Sequence, residues 1–490
     1  MNIQAPPAAA GIRLYQNLVG GESRPAADGR TIDVVCPSDG QVFARIARSG
    51  ADDVNAAVAA ARAAFEGAWG RLTAVERGRM LVRLGQAIAD NANELSALES
   101  RDTGKPSKQG AADMVAAARY FEYYGSAADK LHGDTIPFLN GYTVAILREP
   151  HGVVANIVPW NYPAQIFGRS AAAALACGNS CVVKPAEDAC LSVIRIAELA
   201  RDVGFPDGAL NVVAGLGPEA GAALASHPGI DFISFTGSPA TGAAIQAAAA
   251  KNYVGCTMEL GGKSPQIVFA DADFEAAAPV VVNAIIQNGG QTCSAGSRCL
   301  IERSAYPRFA EILAERFRRL RAGPHDGDYD LGGMISAKQK SRVETFLTRA
   351  RSEGLTILAE GAVAPEAPPT GFYVRPAIVA DAPADNLIAC EEVFGPVLTI
   401  MPFEDEADAV RLANGTPYGL VAGVWTGDAK RSMRVARAMR CGQVFVNGYG
   451  AGGGVELPFG GVKKSGHGRE KGFEGLYEFC ATKTIVLNHG

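Results

Sequence analysis

The chain has 490 residues, beyond the roughly 250–300 at which a single hydrophobic core stops growing, so two or more domains are expected. Apolar residues make up 48%, charged residues 20%, and the formal charge is only −5. These values exclude disordered and collagen-like classes, and the lack of a strongly basic stretch excludes the electrostatic footprint of a nucleic-acid binder. Small molecules or other copies of the chain are the expected partners. The start, MNIQAPPAAAGIRLYQ, lacks a charged segment followed by an apolar one, and no apolar run reaches the ~20 residues that cross a bilayer. A cytoplasmic protein with no membrane partner is expected. Ten cysteines occur without a CxxC pair, and Cys177 and Cys181, the nearest two, have no histidine at ligand spacing. Neither disulfides nor a metal is expected, and the default role of each cysteine is that of a small buried hydrophobe.

From Ser49 to about Gly67, Val54, Val58, Ala61 and Phe65 recur at helical spacing. Helical stretches follow over Arg77 to Ala97 and Ala111 to Leu131. Thr135 to Leu139, the Asn140-Gly141 turn and Tyr142 to Arg148 then read as a β-hairpin. After Gly152, short apolar runs alternate with helices: Val153 to Val158, Ala171 to Ala176, Cys181 to Lys184, Ser192 to Val203 and Leu210 to Ala214. That alternation predicts a parallel sheet covered on both faces. The strand Phe232 to Phe235 leads to Ser238, a helix cap, and Pro239, which suits the first helical position. A second α/β series runs through Gln266 to Phe269, the helix Phe274 to Gln287, Cys299 to Ile301 and Leu398 to Pro402. Gly450 to Gly454 reads as a glycine-rich loop. The last strand, Thr482 to Leu487, has nothing after it to pair with locally and, with the hairpin, suits an intersubunit sheet.

Gly215-Leu216-Gly217-Pro218-Glu219-Ala220 fits the GxGxxA turn of a dinucleotide fold, and Gly237 to Gly242 offers a rival helix N-terminus for a phosphate. A more specific signal is spread over the middle of the chain. Cys293 lies in Gly289-Gly290-Gln291-Thr292-Cys293-Ser294-Ala295-Gly296, Glu259 in Met258-Glu259-Leu260-Gly261-Gly262-Lys263, and Asn161 in Val158-Pro159-Trp160-Asn161-Tyr162-Pro163. With Thr103-Gly104-Lys105-Pro106, Val183-Lys184-Pro185-Ala186-Glu187, Phe235-Thr236-Gly237-Ser238, Glu391-Glu392-Val393-Phe394-Gly395-Pro396 and Leu457-Pro458-Phe459-Gly460-Gly461, the sequence resembles the aldehyde dehydrogenase superfamily of the non-acylating, hydrolytic kind. The motifs fall in family order over nearly the whole chain.

The resemblance implies an α/β fold with a Rossmann-type NAD-binding domain over 1–130 and 149–257, an α/β catalytic domain over 258–470, and a β oligomerisation arm over 131–148 and 471–490. It implies a homodimer or homotetramer that oxidises an aldehyde to its carboxylic acid, with NAD preferred over NADP. Cys293 is the expected nucleophile, because hydride leaves readily only once addition has made the planar carbon tetrahedral. The Asn161 amide and the Cys293 N–H are the expected oxyanion donors, and Glu259 the base that activates water on the thioester. Relatives that acylate coenzyme A lack this base, and some relatives are non-catalytic lens proteins. Lys184 and Glu187 are expected at the adenosine ribose and Glu392 at the nicotinamide ribose, with Phe394 packed nearby. Trp160, Thr236, Gly237, Ser238 and Leu260 line the cofactor cleft, and Gly217 passes beside the adenine without cradling the pyrophosphate. Two positions depart from the pattern: Ile286 and Gln287 stand where aromatic residues are usual. Arg169 falls on a helix that lines the aldehyde tunnel, near Tyr162. In succinate semialdehyde dehydrogenases an Arg at that place grips the substrate carboxylate, helped by a second Arg where this chain has Gln287, so half of that clamp is present.

Overall fold

The segments after Gly152 assemble, in a computed structural model that describes residues 12–450 and 454–490, into the middle of an eight-stranded sheet. Five parallel strands lie side by side in the order Gly255–Glu259, Phe232–Thr236, Val153–Val158, Ser180–Pro185 and Leu210–Val212. Val153–Val158 and Ser180–Pro185 are buried along their whole length, as apolar runs covered on both faces must be. The helices Pro163–Ala176 and Leu191–Asp202 follow them. Antiparallel edges are added by Asn17–Val19 and Glu22–Arg24 on one side and by Gly466–His467 on the other.

In chain order the five parallel strands lie 5-4-1-2-3, so the direction of winding reverses beside the first strand, Val153–Val158. A crevice opens at such a switch point, beyond the carboxyl ends of the strands, and is where ligands bind in open α/β sheets. Those ends deliver the Pro159-Trp160-Asn161 run, Thr236-Gly237-Ser238 and Glu259 to one side of the sheet.

The second α/β series forms a seven-stranded sheet in the order Thr356–Glu360, Ala377–Ala380, Val397–Phe403, Arg298–Glu302, Pro265–Val268, Val421–Trp425 and Gln443–Val446. Only the Thr356–Glu360 edge is antiparallel.

The hairpin differs from its expected form. Its first strand is Asp134–Ile136, because Pro137 cannot donate a ladder hydrogen bond, and residues 137–141 make the turn. The C-terminal strand is Cys480–Asn488 and does have a partner within the chain: it pairs antiparallel with Tyr142–Pro150 over nine residues. The resulting three-stranded arm leaves Ile136, Phe138, Leu139, Ile485, Val486 and Leu487 exposed. Residues 1–11 of the opening segment and 451–453 of the glycine-rich loop lie outside the described residues. Among the described residues no helix is long and apolar enough to cross a membrane.

Candidate active site

The Cys293 loop starts where the helix Phe274–Ile286 stops. Asn288, Gly289 and Gly290 follow with φ of 51°, 62° and 74°. Three successive left-handed residues cannot continue a helix, and two glycines with one asparagine are the residue types that tolerate the turn. The reversed chain is then fastened to the Trp160-Asn161-Tyr162 segment. Asn288 Nδ2 donates to the Asn161 carbonyl at 2.8 Å, Asn161 Nδ2 donates to the Gln291 carbonyl at 2.9 Å, and the Tyr162 and Thr292 hydroxyls are 2.9 Å apart. Two motifs 130 residues apart are thereby locked together, with the Cys293 side chain lining the same cavity as Asn161 and Tyr162.

The Thr103-Gly104-Lys105-Pro106 run contributes a fastening that its sequence alone did not announce. The Lys105 side chain is fully buried, and its Nζ donates to Asp113 at 2.5 Å, to Glu99 at 3.2 Å and to the Asn161 carbonyl at 3.0 Å. Burial alone would lower the pKa of this amine, but the charges of Asp113 and Glu99 raise it instead. Lys105→Met leaves two buried carboxylates facing each other. It should destabilise the protein by about 3–5 kcal/mol in urea unfolding, and an effect below about 1 kcal/mol would contradict this account.

Glu259 ends its strand buried, at 2% exposure, and among the described residues neither carboxylate oxygen has a hydrogen-bond partner. Burial and then the neighbouring Glu470 charge push its carboxyl well above the usual range, while Arg169 pulls it back. Glu470 is itself buried, accepts from the Ser234 hydroxyl at 3.0 Å and forms an ion pair with Arg169. The Arg169 side chain lines the Cys293 cavity, as does Gln287, yet its guanidinium is engaged by Glu470, donates to the Thr236 hydroxyl at 3.2 Å and lies 5.1 Å from the centre of the Phe459 ring. The sequence gives Lys105 only as part of a motif and sets Glu470 and the cavity-lining Lys471 apart by nothing; each is one charged residue whose burial no local pattern reveals.

Cys293 keeps a partly exposed surface. Burial raises its thiol to about 11, with Arg169 opposing and the Glu392 and Glu259 charges adding to the rise. Little thiolate is present at neutral pH, so a base or bound substrate must help to form it. Alkylation of Cys293 by iodoacetamide in the cofactor-free protein should therefore keep rising, about tenfold per pH unit, from pH 7 to 10. A plateau below pH 9 would contradict this.

The residues expected around a dinucleotide fall into two clusters at the same end of the eight-stranded sheet. In one, Lys184 Nζ donates to Glu187 at 2.8 Å and the Gly217 N–H donates to the same carboxylate at 3.3 Å. Burial would raise the Glu187 carboxyl, but Lys184 outweighs it and holds the group below its usual pKa. In the other, Glu392 accepts from the Gly262 N–H at 2.9 Å, and the Trp160 and Phe394 rings meet edge to face with centroids 5.4 Å apart. Burial raises Glu392 to about 7. A Cβ on Gly261 would lie 2.4 Å from the Glu392 carboxylate, so a side chain there would displace that carboxylate from its present position. Between the clusters, the Gly237 N–H donates to the Glu259 carbonyl at 3.0 Å, Ser238 caps the helix Pro239–Ala250, and Leu260 is buried against Gly242. Two carboxylates able to accept from hydroxyl groups, Glu187 and Glu392, flank a helix N-terminus whose N–H groups suit a phosphate. The residues present therefore fit a nicotinamide dinucleotide. Among the described residues no group of His, Cys, Asp or Glu could hold a metal ion.

The aldehyde dehydrogenase family profile matches residues 24–485. Aldehyde dehydrogenase family 2 member C4 of Arabidopsis thaliana is 38% identical over 484 residues, covering 97% of this chain and 95% of that protein. A solved Burkholderia cenocepacia structure assigned to the aldehyde dehydrogenases is 63% identical, with a TM-score of 0.96 and coverage of 97% of this chain and 100% of the other. The Staphylococcus aureus betaine aldehyde dehydrogenase, solved in complex with NAD+, is 36% identical with a TM-score of 0.94, covering 97% and 95% of the two chains. A thiol and an amide donor at one cavity, a buried carboxylate within electrostatic reach of that thiol, two residue clusters that fit a dinucleotide, and a match along nearly the entire length lead to one statement: the chain belongs to the aldehyde dehydrogenase family.

Proposed function

We propose that the protein oxidises an aldehyde to its carboxylic acid with NAD and water through a thioester on Cys293. The observation that carries this reading is the buried Glu259 carboxylate, free of protein hydrogen bonds and electrostatically close to Cys293. The Cys293 sulfur adds to the aldehyde carbon as its proton leaves to Glu259. Oxygen then becomes an anion and is held by the Cys293 N–H and by the Asn161 amide N–H that does not serve Gln291. Bound NAD supplies the hydride acceptor for the carbon's hydrogen. Glu259 then gives the thiol's proton to solvent and, ionised again, takes a proton from water, whose oxygen attacks the thioester; collapse releases the acid and the Cys293 thiolate, which recovers a proton from Glu259. A carboxylate held above its usual pKa by burial is matched to such proton transfer near neutral pH.

In this reading residues 1–130 and 149–257 bind the cofactor, 258–470 carry catalysis and the arm joins copies into a dimer or tetramer, which covers its exposed apolar side chains. The test is a panel of acidic, aromatic and amino aldehydes supplied with NAD, with and without coenzyme A. NADH with free acid is the expected result in both cases. Acyl-coenzyme A as product would replace this reading with the acylating one, and the absence of NADH with every aldehyde would point to a non-catalytic binding protein.

Glu187 is expected to favour NAD, because its ionised carboxylate accepts from a ribose hydroxyl and repels the extra phosphate of NADP. Like charges about 4 Å apart cost about 1 kcal/mol in water and about 4 kcal/mol near a protein surface, so a preference of at least about tenfold in kcat/KM is predicted. Lys184, 2.8 Å from the same carboxylate, opposes the repulsion. Equal efficiency with the two cofactors would contradict the assignment.

A further inference from the structure

The aldehyde cavity has a polar character that the mechanism does not require. Among the described residues its lining carries two cations, Arg169 and Lys471, and one carboxylate, Asp113. Both Asp113 oxygens are taken, one by Lys105 and the other by Gln165 at 2.7 Å. The two cations share an aromatic surface: the Lys471 ammonium lies 5.2 Å from the centre of the Phe459 ring, whose other cationic neighbour is Arg169. Lys471 also approaches the Tyr120 ring, at 5.9 Å. The segment places successive residues differently, Glu470 against Arg169 and Ser234, and Lys471 on the cavity wall. Burial, followed by the Arg169 charge, lowers the Lys471 ammonium to about 8. It is therefore still mostly protonated at pH 7, a buried positive charge on the cavity wall.

We propose that Lys471, with Arg169 beside it, recognises an anionic group on the substrate, so that the cavity takes aldehydes bearing a carboxylate distal to the aldehyde. This rests on the reading of Cys293 as the nucleophile at the cavity. An ammonium in low dielectric gains more from a carboxylate than from a neutral group of equal size, because the solvent screening that weakens such contacts at the surface is removed. Arg169 supports the site electrostatically while its own geometry is fixed by Glu470.

The experiment compares kcat/KM for matched aldehydes, 4-formylbenzoate against 4-formylbenzamide and succinic semialdehyde against butanal, in the wild-type protein and in Lys471→Met and Lys471→Arg. The wild type should prefer the acid in at least one pair. In Lys471→Met that preference should fall by more than about tenfold, the size of a lost charge-assisted hydrogen bond, and Lys471→Arg should restore part of it. Wild-type turnover with no preference for either acid, or a preference that Lys471→Met leaves within about twofold, would overturn the substrate assignment while leaving the dehydrogenase reading intact. No NADH from any aldehyde in the wild type would overturn both. Unfolding of Lys471→Met alone does not spare the proposal, since a Lys471→Arg protein that folds and shows wild-type NAD binding must still keep the acid preference.

Discussion

Cys293→Ala should lower aldehyde-dependent NADH formation by about 10⁴-fold or more, since removing a covalent nucleophile leaves only binding and oxyanion donors to act. NAD affinity should stay within about threefold of the wild type. The ligands expected for the cofactor, Lys184, Glu187 and Glu392, lie on other segments, and the Cys293 loop keeps its bonds from Asn288 and Asn161 through backbone carbonyls that the substitution does not touch. Alanine also removes the sulfur from a site that is already partly open, so no large cavity is created. The measurement is NADH absorbance beside a fluorescence titration of NAD. Steady turnover comparable to the wild type would remove Cys293 from the mechanism, and a parallel loss of NAD binding would indicate a disturbed fold instead of lost chemistry.

Glu259→Gln should separate the two halves of the reaction. The amide keeps the size of the side chain but cannot take a proton from water, so deacylation should slow by about 10²–10⁴-fold. Addition and oxidation should persist where Cys293 can reach its thiolate by raising the pH. The expected trace at pH 9 is one equivalent of NADH per site followed by a nearly flat line. The substitution also removes the repulsion between the Glu259 and Glu470 carboxyls that raises Glu259, so stability should not fall. A slow linear trace without a burst would show that Glu259 is needed before oxidation, and unaltered turnover would show that another group activates water.

Much of this organisation is legible in the sequence, for identifiable reasons. Val153–Val158 and Ser180–Pro185 are continuous apolar runs because both faces of the sheet are covered, and the alternation with helices fixes their parallel pairing. Cys293, Glu259 and Asn161 stand out in the sequence through the motifs that carry the family resemblance, and the glycines before Cys293 also report the left-handed turn found there. The edge strands Asn17–Val19 and Glu22–Arg24 are not legible, since three residues each give no period to read. The partner of the C-terminal strand is hidden for a different reason: Thr484 pairs with Ile146, and a contact over that separation leaves no local trace. Buried charges are hidden most completely. The sequence offers Arg169 as half of a substrate clamp without showing Glu470 against it, and Lys105 as part of a motif without showing Glu99, Asp113 and the Asn161 carbonyl around its ammonium.

The central claim is the thioester on Cys293, and intact-protein and peptide mass spectrometry of Glu259→Gln reads it directly. The variant is mixed with NAD and an oxidisable aldehyde and quenched in acid when the burst of NADH is complete. The account predicts that the peptide carrying Cys293 gains the mass of the aldehyde less a hydride and a proton, in amount equal to the NADH formed. NADH formed with no such adduct, or with the adduct on another residue, would contradict it.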